Sequence, residues 1–328
     1  MHIKLEYPKS EFVLRQTPAC HGIWEDSTFS VGEDRGSFDG WAVYDSLQRP
    51  VSSLCDPERT IFITGEPSSV RSYDPRFLAQ FAAVITPHQG LQHSRVFRQQ
   101  PAIPWWVGVA IEHQPAKQTS SYRLDYDKLK AAGPAKKEKV LSVICSNKAL
   151  TEGHRERLRF LDRLIAKFGS KLDVFGHGFK PITDKWDAIH PYRYHIVLEN
   201  VRADHYWTEK IADTFLAGAF PLYCGCPNLG DYFPAESYRP ISRYEPEAAV
   251  AAITDAIESD LYTKAIPALA QARELVLDQY NLFPVIVNAM RRLPSGQHRY
   301  ITLRPECDFV DPLPRRLKRR LRQALLGR

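Results

Sequence analysis

Between Lys139 and Cys224, apolar runs of strand length alternate with segments whose apolar residues recur every three or four positions. "KVLSVICS" is a continuous apolar run, bounded by charge before it and by Ser146-Asn147 after it, as a strand buried in a parallel sheet reads. Next, Leu158, Leu161, Ile165 and Phe168 repeat at helical spacing, and Gly169 stands where a helix stops. "KLDVFG" and "YHIVLEN" read as further strands, "TEKIADTFLAG" as a helix ending at Gly218, and "AFPLYCG" as another strand. Strands alternating with helices imply βαβ units and a parallel sheet. The C-terminal half is therefore expected to be Rossmann-like. From 245 to 293 the pattern is helical, with Pro267 and Pro284 expected to kink or restart the helices.

The first third repeats the theme less regularly. "HIKLEY", "GWAVYDSL", "RTIFITGE" and "FAAVITP" are β-rich runs separated by turn-rich stretches, and residues 114–138 are polar, charged and poor in large aliphatics. With 328 residues there is room for two domains of ordinary size. The expected layout is an N-terminal α/β domain over 1–115, a linker or excursion over 116–138, a C-terminal Rossmann-like domain over 139–300 and a C-terminal segment over 301–328. Two such domains leave a cleft between them. Ligands of open parallel sheets lie beyond the carboxyl ends of the strands, so each strand-to-helix junction is a candidate site.

The junction "ENVRADHYWTEK", residues 199–210, is the richest. Strand "HIVL" closes on Glu199-Asn200, a loop follows, and Thr208 is placed to cap the helix opened by Glu209 and Lys210. The first-turn N–H groups and the positive end of the helix dipole then face the cleft, where a diphosphate is welcome. Lys210 adds a full charge. Glu209 cannot hold phosphate and suits hydroxyls such as a ribose diol; the alternative is an ordinary first-turn acid beside a solvated lysine. Tyr206 and Trp207 offer a flat wall for a base or sugar ring. Trp105 and Trp106 either stack on a sugar face or pack in the core.

Other features bound the class. With 44% hydrophobic and 25% charged residues the composition is that of a soluble globular protein. No window approaches the roughly 18 apolar residues of a membrane span, and "MHIKLEYPKSEF" lacks a signal-peptide core, so a cytoplasmic location is expected. The six cysteines are scattered and do not read as a disulfide framework. Cys224-Gly225-Cys226 reads as a tight turn after a strand, a metal pair being the alternative.

The run from Tyr194 to Pro234, "YHIVLENVRADHYWTEKIADTFLAGAFPLYCGCPNLGDYFP", resembles the C-terminal motif of glycosyltransferase family 10, the α-1,3/4-fucosyltransferases. There the pattern is approximately Y-K-F-x-L-x-F-E-N-S, then D/G-Y-V-T-E-K, a helix, A-x-x-P-V/I, a short turn and F-x-P. Here E-N, Y-x-T-E-K, A-G-A-x-P and F-P fall in that order. "CSNKALTEGHRERLRFLDRL" is similar to the family segment that supplies an arginine to the diphosphate. Alignment on Leu164 places that arginine at Arg157, with Arg155 and Arg159 close by. "LDVFGHG" is similar to V-D-V-Y-G-R, with His177 where many members have arginine. "RTIFITGEPSS" resembles the strand whose closing glutamate is the family's proposed general base, here Glu66. An acid ending an apolar strand before Pro67 and two serines also faces an opening on physical grounds, the alternative being an exposed turn.

The resemblance implies a GT-B-like α/β fold, two Rossmann-like domains facing each other across a cleft, the first on the acceptor side. It further implies an inverting enzyme that moves L-fucose from GDP-fucose to a hydroxyl of a glycan acceptor, in α-1,3 linkage, on lipopolysaccharide or another surface glycan. A divergent member using another nucleotide-sugar, or a catalytically silent sugar-nucleotide-binding module, are the alternatives. The expected catalytic residue is Glu66. The expected donor-binding residues are Arg157, Asn200, Tyr206, Glu209 and Lys210, with Glu199, Thr208 and His177 as further donor-side candidates. No D-x-D motif stands beside a strand end of the donor half, and no metal or other cofactor is expected.

The last fourteen residues carry seven Lys or Arg and no acid, which accounts for the net charge of +6. Leu317, Leu321 and Leu325 recur at i, i+4 and i+8, so 315–328 reads as a basic amphipathic helix suited to an anionic membrane surface on the cytoplasmic face. A solvated tail or a nucleic-acid arm would show the same charge; a nucleic-acid partner is not expected.

Overall fold

The computed structural model describes residues 1–8, 10–32, 36–114, 117–133, 136–148 and 152–309. The first lobe is built on a seven-stranded sheet. Its strands are β1 (His2–Glu6), β2 (Ile23–Trp24), β3 (Ser27–Val31), β4 (Gly40–Tyr44), β5 (Thr60–Ile63), β6 (Ala83–Thr86) and β7 (Val96–Arg98), in the order β2-β3-β1-β4-β5-β6-β7. Only the β2–β3 pair is antiparallel. β4, β5 and β6 are buried along their whole length, the state that continuous apolar runs require.

The residues expected to be a linker or excursion form a structured excursion. β8 (Val109–Gln114) and β9 (Lys117–Tyr122) pair as an antiparallel hairpin, and Tyr126–Ala131 is a short helix capped by Asp125. Arg15, wholly buried, donates to the carbonyls of Trp105 (2.6 Å), Val107 (3.1 Å) and Leu124 (2.9 Å) and stacks on the Trp105 ring. That guanidinium seams the first lobe to the crossing segment.

The second lobe has a five-stranded, all-parallel sheet in the order β11-β10-β12-β13-β14. The strands are β10 (Lys139–Ile144), β11 (Leu172–Phe175), β12 (Tyr192–Leu198), β13 (Phe220–Cys224) and β14 (Arg239–Pro240). Around them lie α1 (Glu152–Phe168), α2 (Lys185–Ile189), α3 (Glu209–Leu216), α4 (Pro246–Glu258) and α5 (Leu261–Asp278). Gly218 follows α3 at φ +69°, the left-handed stop that glycine supplies. Pro267 stays inside α5, and Pro284 lies in the first turn of α6 (Leu282–Arg291), where a missing N–H costs nothing.

The packing divides the chain differently from a boundary at 300. α6 buries Leu282, Phe283, Val285, Ile286 and Met290 against Ile3, Leu5, Phe29 and Ala42 of the first sheet, and Arg299–Leu303 pairs with Val51–Cys55. Residues 282–303 therefore return to the first lobe. The second lobe has its own continuous core around Val143, Phe160, Ile196, Phe215 and Leu222. Two Rossmann-like sheets thus face each other, as the GT-B-like expectation required. Residues 315–328, the expected amphipathic tail, lie outside the described residues.

Candidate active site

A cavity of about 360 Å³ opens between the lobes. Its first-lobe wall comes from Tyr7, Tyr44, Asp45, Gly65 and Glu66, and its second-lobe wall from Asn200, Tyr206, Thr208, Glu209 and Lys210, with Ile103 and Trp106 between them. These residues follow β4, β5 and β12, so the cavity sits at the carboxyl ends of both sheets, where ligands of such sheets bind. A second cavity of about 240 Å³ touches His190, Leu216 and Gly218, which precede β12 and β13, and so lies at the opposite end of the sheet.

Thr208 caps α3 as expected, its hydroxyl accepting from the Lys210 amide (3.3 Å). Behind it Glu199, fully buried, accepts from the Thr208 amide (3.0 Å) and from its hydroxyl (2.9 Å), and pairs with Lys210 Nζ (3.1 Å). Glu199 does not line the cavity; it holds the cap and the ammonium that do. A Cβ at Gly225 would meet the Tyr223 hydroxyl at 2.4 Å and Glu199 Cγ at 2.5 Å. That close approach explains the glycine of the C-x-C turn. Both flanking cysteines are free and buried, and the described residues contain no group of three or more His, Cys, Asp or Glu side chains that could hold a metal ion.

Glu209 Oε1 accepts from Lys185 Nζ at 3.1 Å, and Lys210 Nζ lies 3.8 Å away. Burial alone would raise the Glu209 pKa, but the two ammonium groups hold it at about 2. Lys210 is held above its ordinary value against the pull of burial by Glu199 and Glu209. The site therefore keeps both groups ionised.

Arg157 is the arginine that turns inward. It is 7% exposed and donates to Asn200 Oδ1 (2.7 Å) and to the Ser146 carbonyl (3.2 Å). Its Nε is buried without a partner among the described residues. Arg155 and Arg159 are exposed and both pair with Glu152 on the outer face. Arg157 stands behind Asn200 and does not itself line the cavity. His177 is exposed, bonds Asn147 Oδ1 (2.9 Å) and also lies off the cavity wall. Trp207 packs on Tyr232, Phe233 and Tyr280 in the core, leaving Tyr206 as the aromatic wall. The tryptophan pair divides the same way: Trp105 is buried under Arg15, and Trp106 lines the cavity.

On the opposite wall Glu66 is exposed, and no hydrogen bond engages its carboxylate among the described residues. Its carbonyl accepts from His88 Nε2 (2.8 Å), which fixes the backbone there. Asp45, its neighbour in the cavity, is fully engaged by the Gly65 amide, the Tyr73 hydroxyl (2.6 Å) and Arg71 (2.8 Å). Sequence reasoning missed Asp45, although "WAVYD" carries the same signal as "IFITGE", an acid closing an apolar strand. It also missed Lys185, for which no local signal exists.

Residues 134–263 match the model of "Glycosyltransferase family 10 (fucosyltransferase) C-term". The matched residues lie in the second lobe, from β10 to the start of α5, and contain every donor-side candidate. A protein of Arabidopsis thaliana named as fucosyltransferase-like is 28% identical over 131 residues, 39% of this chain and 25% of that one; the chain thus matches about a quarter of the length of that curated relative. Among solved structures, an alpha1,3-fucosyltransferase with GDP-fucose is similar at TM-score 0.47 and 16% identity, covering 91% of this chain and 92% of that one. A trehalose-6-phosphate synthase is similar at TM-score 0.42 and 8% identity, covering 84% and 74%.

Proposed function

We propose that this protein is an inverting glycosyltransferase that moves L-fucose from GDP-fucose to a hydroxyl of a glycan acceptor, in α-1,3 linkage on lipopolysaccharide or another surface glycan. The supporting observation is the cavity's two-sided chemistry: an uncommitted carboxylate, Glu66, on one lobe and the Thr208–Lys210 helix start on the other. The donor class rests on the family 10 match. Single-step inversion needs a base on the face of the sugar opposite the leaving group. Glu66 takes the proton as the acceptor oxygen bonds to the anomeric carbon. The bond from that carbon to the diphosphate breaks, and charge grows on departing GDP. Lys210 and the first-turn amides of α3 stabilise that charge, which is where donors lower a barrier, and Arg157 acts on it from behind Asn200, which lines the cavity. Glu209 receives the ribose hydroxyls.

The test is a thermal-shift panel of GDP, UDP, ADP and GDP-fucose. A ligand at 100 times its dissociation constant stabilises by about 2.7 kcal/mol, so a guanine-selective rise in Tm is expected. A shift with UDP or ADP alone would reassign the donor, and none with any nucleotide would reject the reading. The cations of the second lobe take the part a divalent ion plays elsewhere, so transfer is expected to persist in chelator. Complete loss restored by manganese would contradict this. The protein is further proposed to work in the cytoplasm, peripheral to the membrane through 315–328.

A further inference from the structure

We propose that Lys185 is a positioning residue that pins Glu209 in the orientation that receives the donor's hydroxyls and locks the donor helix to the segment crossing between the lobes. The inference rests on the donor-site reading above. Lys185 opens α2, a five-residue helix remote in sequence from α3, yet its ammonium lies between two carboxylates of α3 one turn apart. It is 3.1 Å from Glu209 Oε1 and 2.9 Å from Asp213 Oδ2. Asp213 is fully buried, and its other oxygen accepts from the amides of Trp106 (2.7 Å) and Val107 (2.9 Å). Asp184, the residue before Lys185, accepts from the next amide, Gly108 (2.9 Å). Three consecutive amides of the crossing segment are thus held by the carboxylates that flank and face Lys185. Trp106, at the head of that segment, lines the cavity beside Glu209.

The bond from Lys185 to Oε1 fixes the Glu209 carboxylate at the cavity wall. Without Lys185, Glu209 and Asp213 would face each other on adjacent turns with no cation between them, and such a pair retains a proton that neither holds alone. The charged and titratable groups around Glu209 are Lys185 from α2, Lys210 and Asp213 from α3, Tyr206 before it and Tyr7 from the first lobe. Arg15 acts on Asp213 from the seam. Of these, only Lys185 bonds both carboxylates.

GDP affinity is to be measured at pH 8 and pH 5.5 for the wild-type protein, K185M, K185R and E209Q. Because the terminal phosphate of GDP itself titrates at about pH 6, each variant is compared with wild type at the same pH. K185M is expected to bind about tenfold more weakly at pH 5.5, the scale of losing a charged hydrogen bond, and to recover toward wild type at pH 8, with K185R restoring most of the loss. If K185M does not fold, K185M/D213N removes the buried carboxylate together with its counter-ion; with no second carboxylate to share a proton, it is expected to bind GDP more weakly than D213N at both pH values through the lost pin on Glu209, with K185R/D213N restoring binding, and binding as tight as that of D213N would overturn the inference. K185M binding GDP as wild type does, while E209Q loses it, would overturn the inference alone. In K185M a loss equal at both pH values would also overturn it, because a merely structural lysine has that signature. A wild-type protein that does not bind GDP at all would overturn the underlying site reading instead.

Discussion

Glu66 and Asp45 stand on the same wall of the cavity, and their hydrogen bonds separate their roles. Asp45 already accepts from Gly65, Tyr73 and Arg71, so its oxygens are committed while those of Glu66 are not. Glu66→Gln is expected to lower transfer by about a hundredfold or more while GDP still binds, measured by turnover and calorimetry on one preparation. Loss of GDP binding would make Glu66 a donor ligand rather than a base. Lys210→Met and Arg157→Met are each expected to cut turnover by about a hundredfold or more. Lys210 also neutralises the buried Glu199, so Lys210→Met combined with Glu199→Gln is the fair comparison. Near-wild-type turnover in that folded double variant would remove Lys210 from the mechanism. Glu66, Glu209 and Lys210 were readable as candidates because each stands at a strand or helix end within a stretch that resembles family 10. Lys185 was not, because its partners lie 24 and 28 positions away.

The helix α1 shows how an element's rotation decides a residue's role. Leu158, Leu161, Ile165 and Phe168 have helical spacing, yet the face that α1 buries is Arg157, Phe160, Leu161 and Leu164, and Ile165 is exposed. That alternative stripe is shifted by part of a turn, and it carries Arg157 inward to Asn200. Strand β12 holds a different constraint. His195 is buried, with Nδ1 2.7 Å from the Ser142 hydroxyl, and burial, aided by Lys185, pushes its pKa down to about 3. The unfolded chain takes up this proton near pH 6.5 and the folded one does not until about pH 3. Stability therefore falls on acidification through that window, by at most about 1.4 kcal/mol per pH unit from this group. His195→Asn is expected to flatten the dependence between pH 7 and 5 in urea unfolding. Equal slopes for the two proteins would contradict it.

For the whole molecule, the +6 charge is concentrated in the tail, whereas the cavity is lined by three carboxylates and one lysine. Pelleting with anionic vesicles is expected for the full chain, to weaken with salt, and to be lost on truncation after Pro314; unchanged pelleting of the truncated chain would rule the tail out. The sequence by itself determined the parallel α/β class, the strands that end at the cleft and the cap at Thr208, because these depend on neighbours within a few residues. Tertiary structure decided the rest. It folded 282–303 back onto the first lobe, chose Arg157 over Arg155 and Arg159, sent Trp207 to the core and brought Lys185 to Glu209. Each of these is settled by which surfaces exclude water and which charges must find partners across long stretches of chain, and local periodicity carries no record of that.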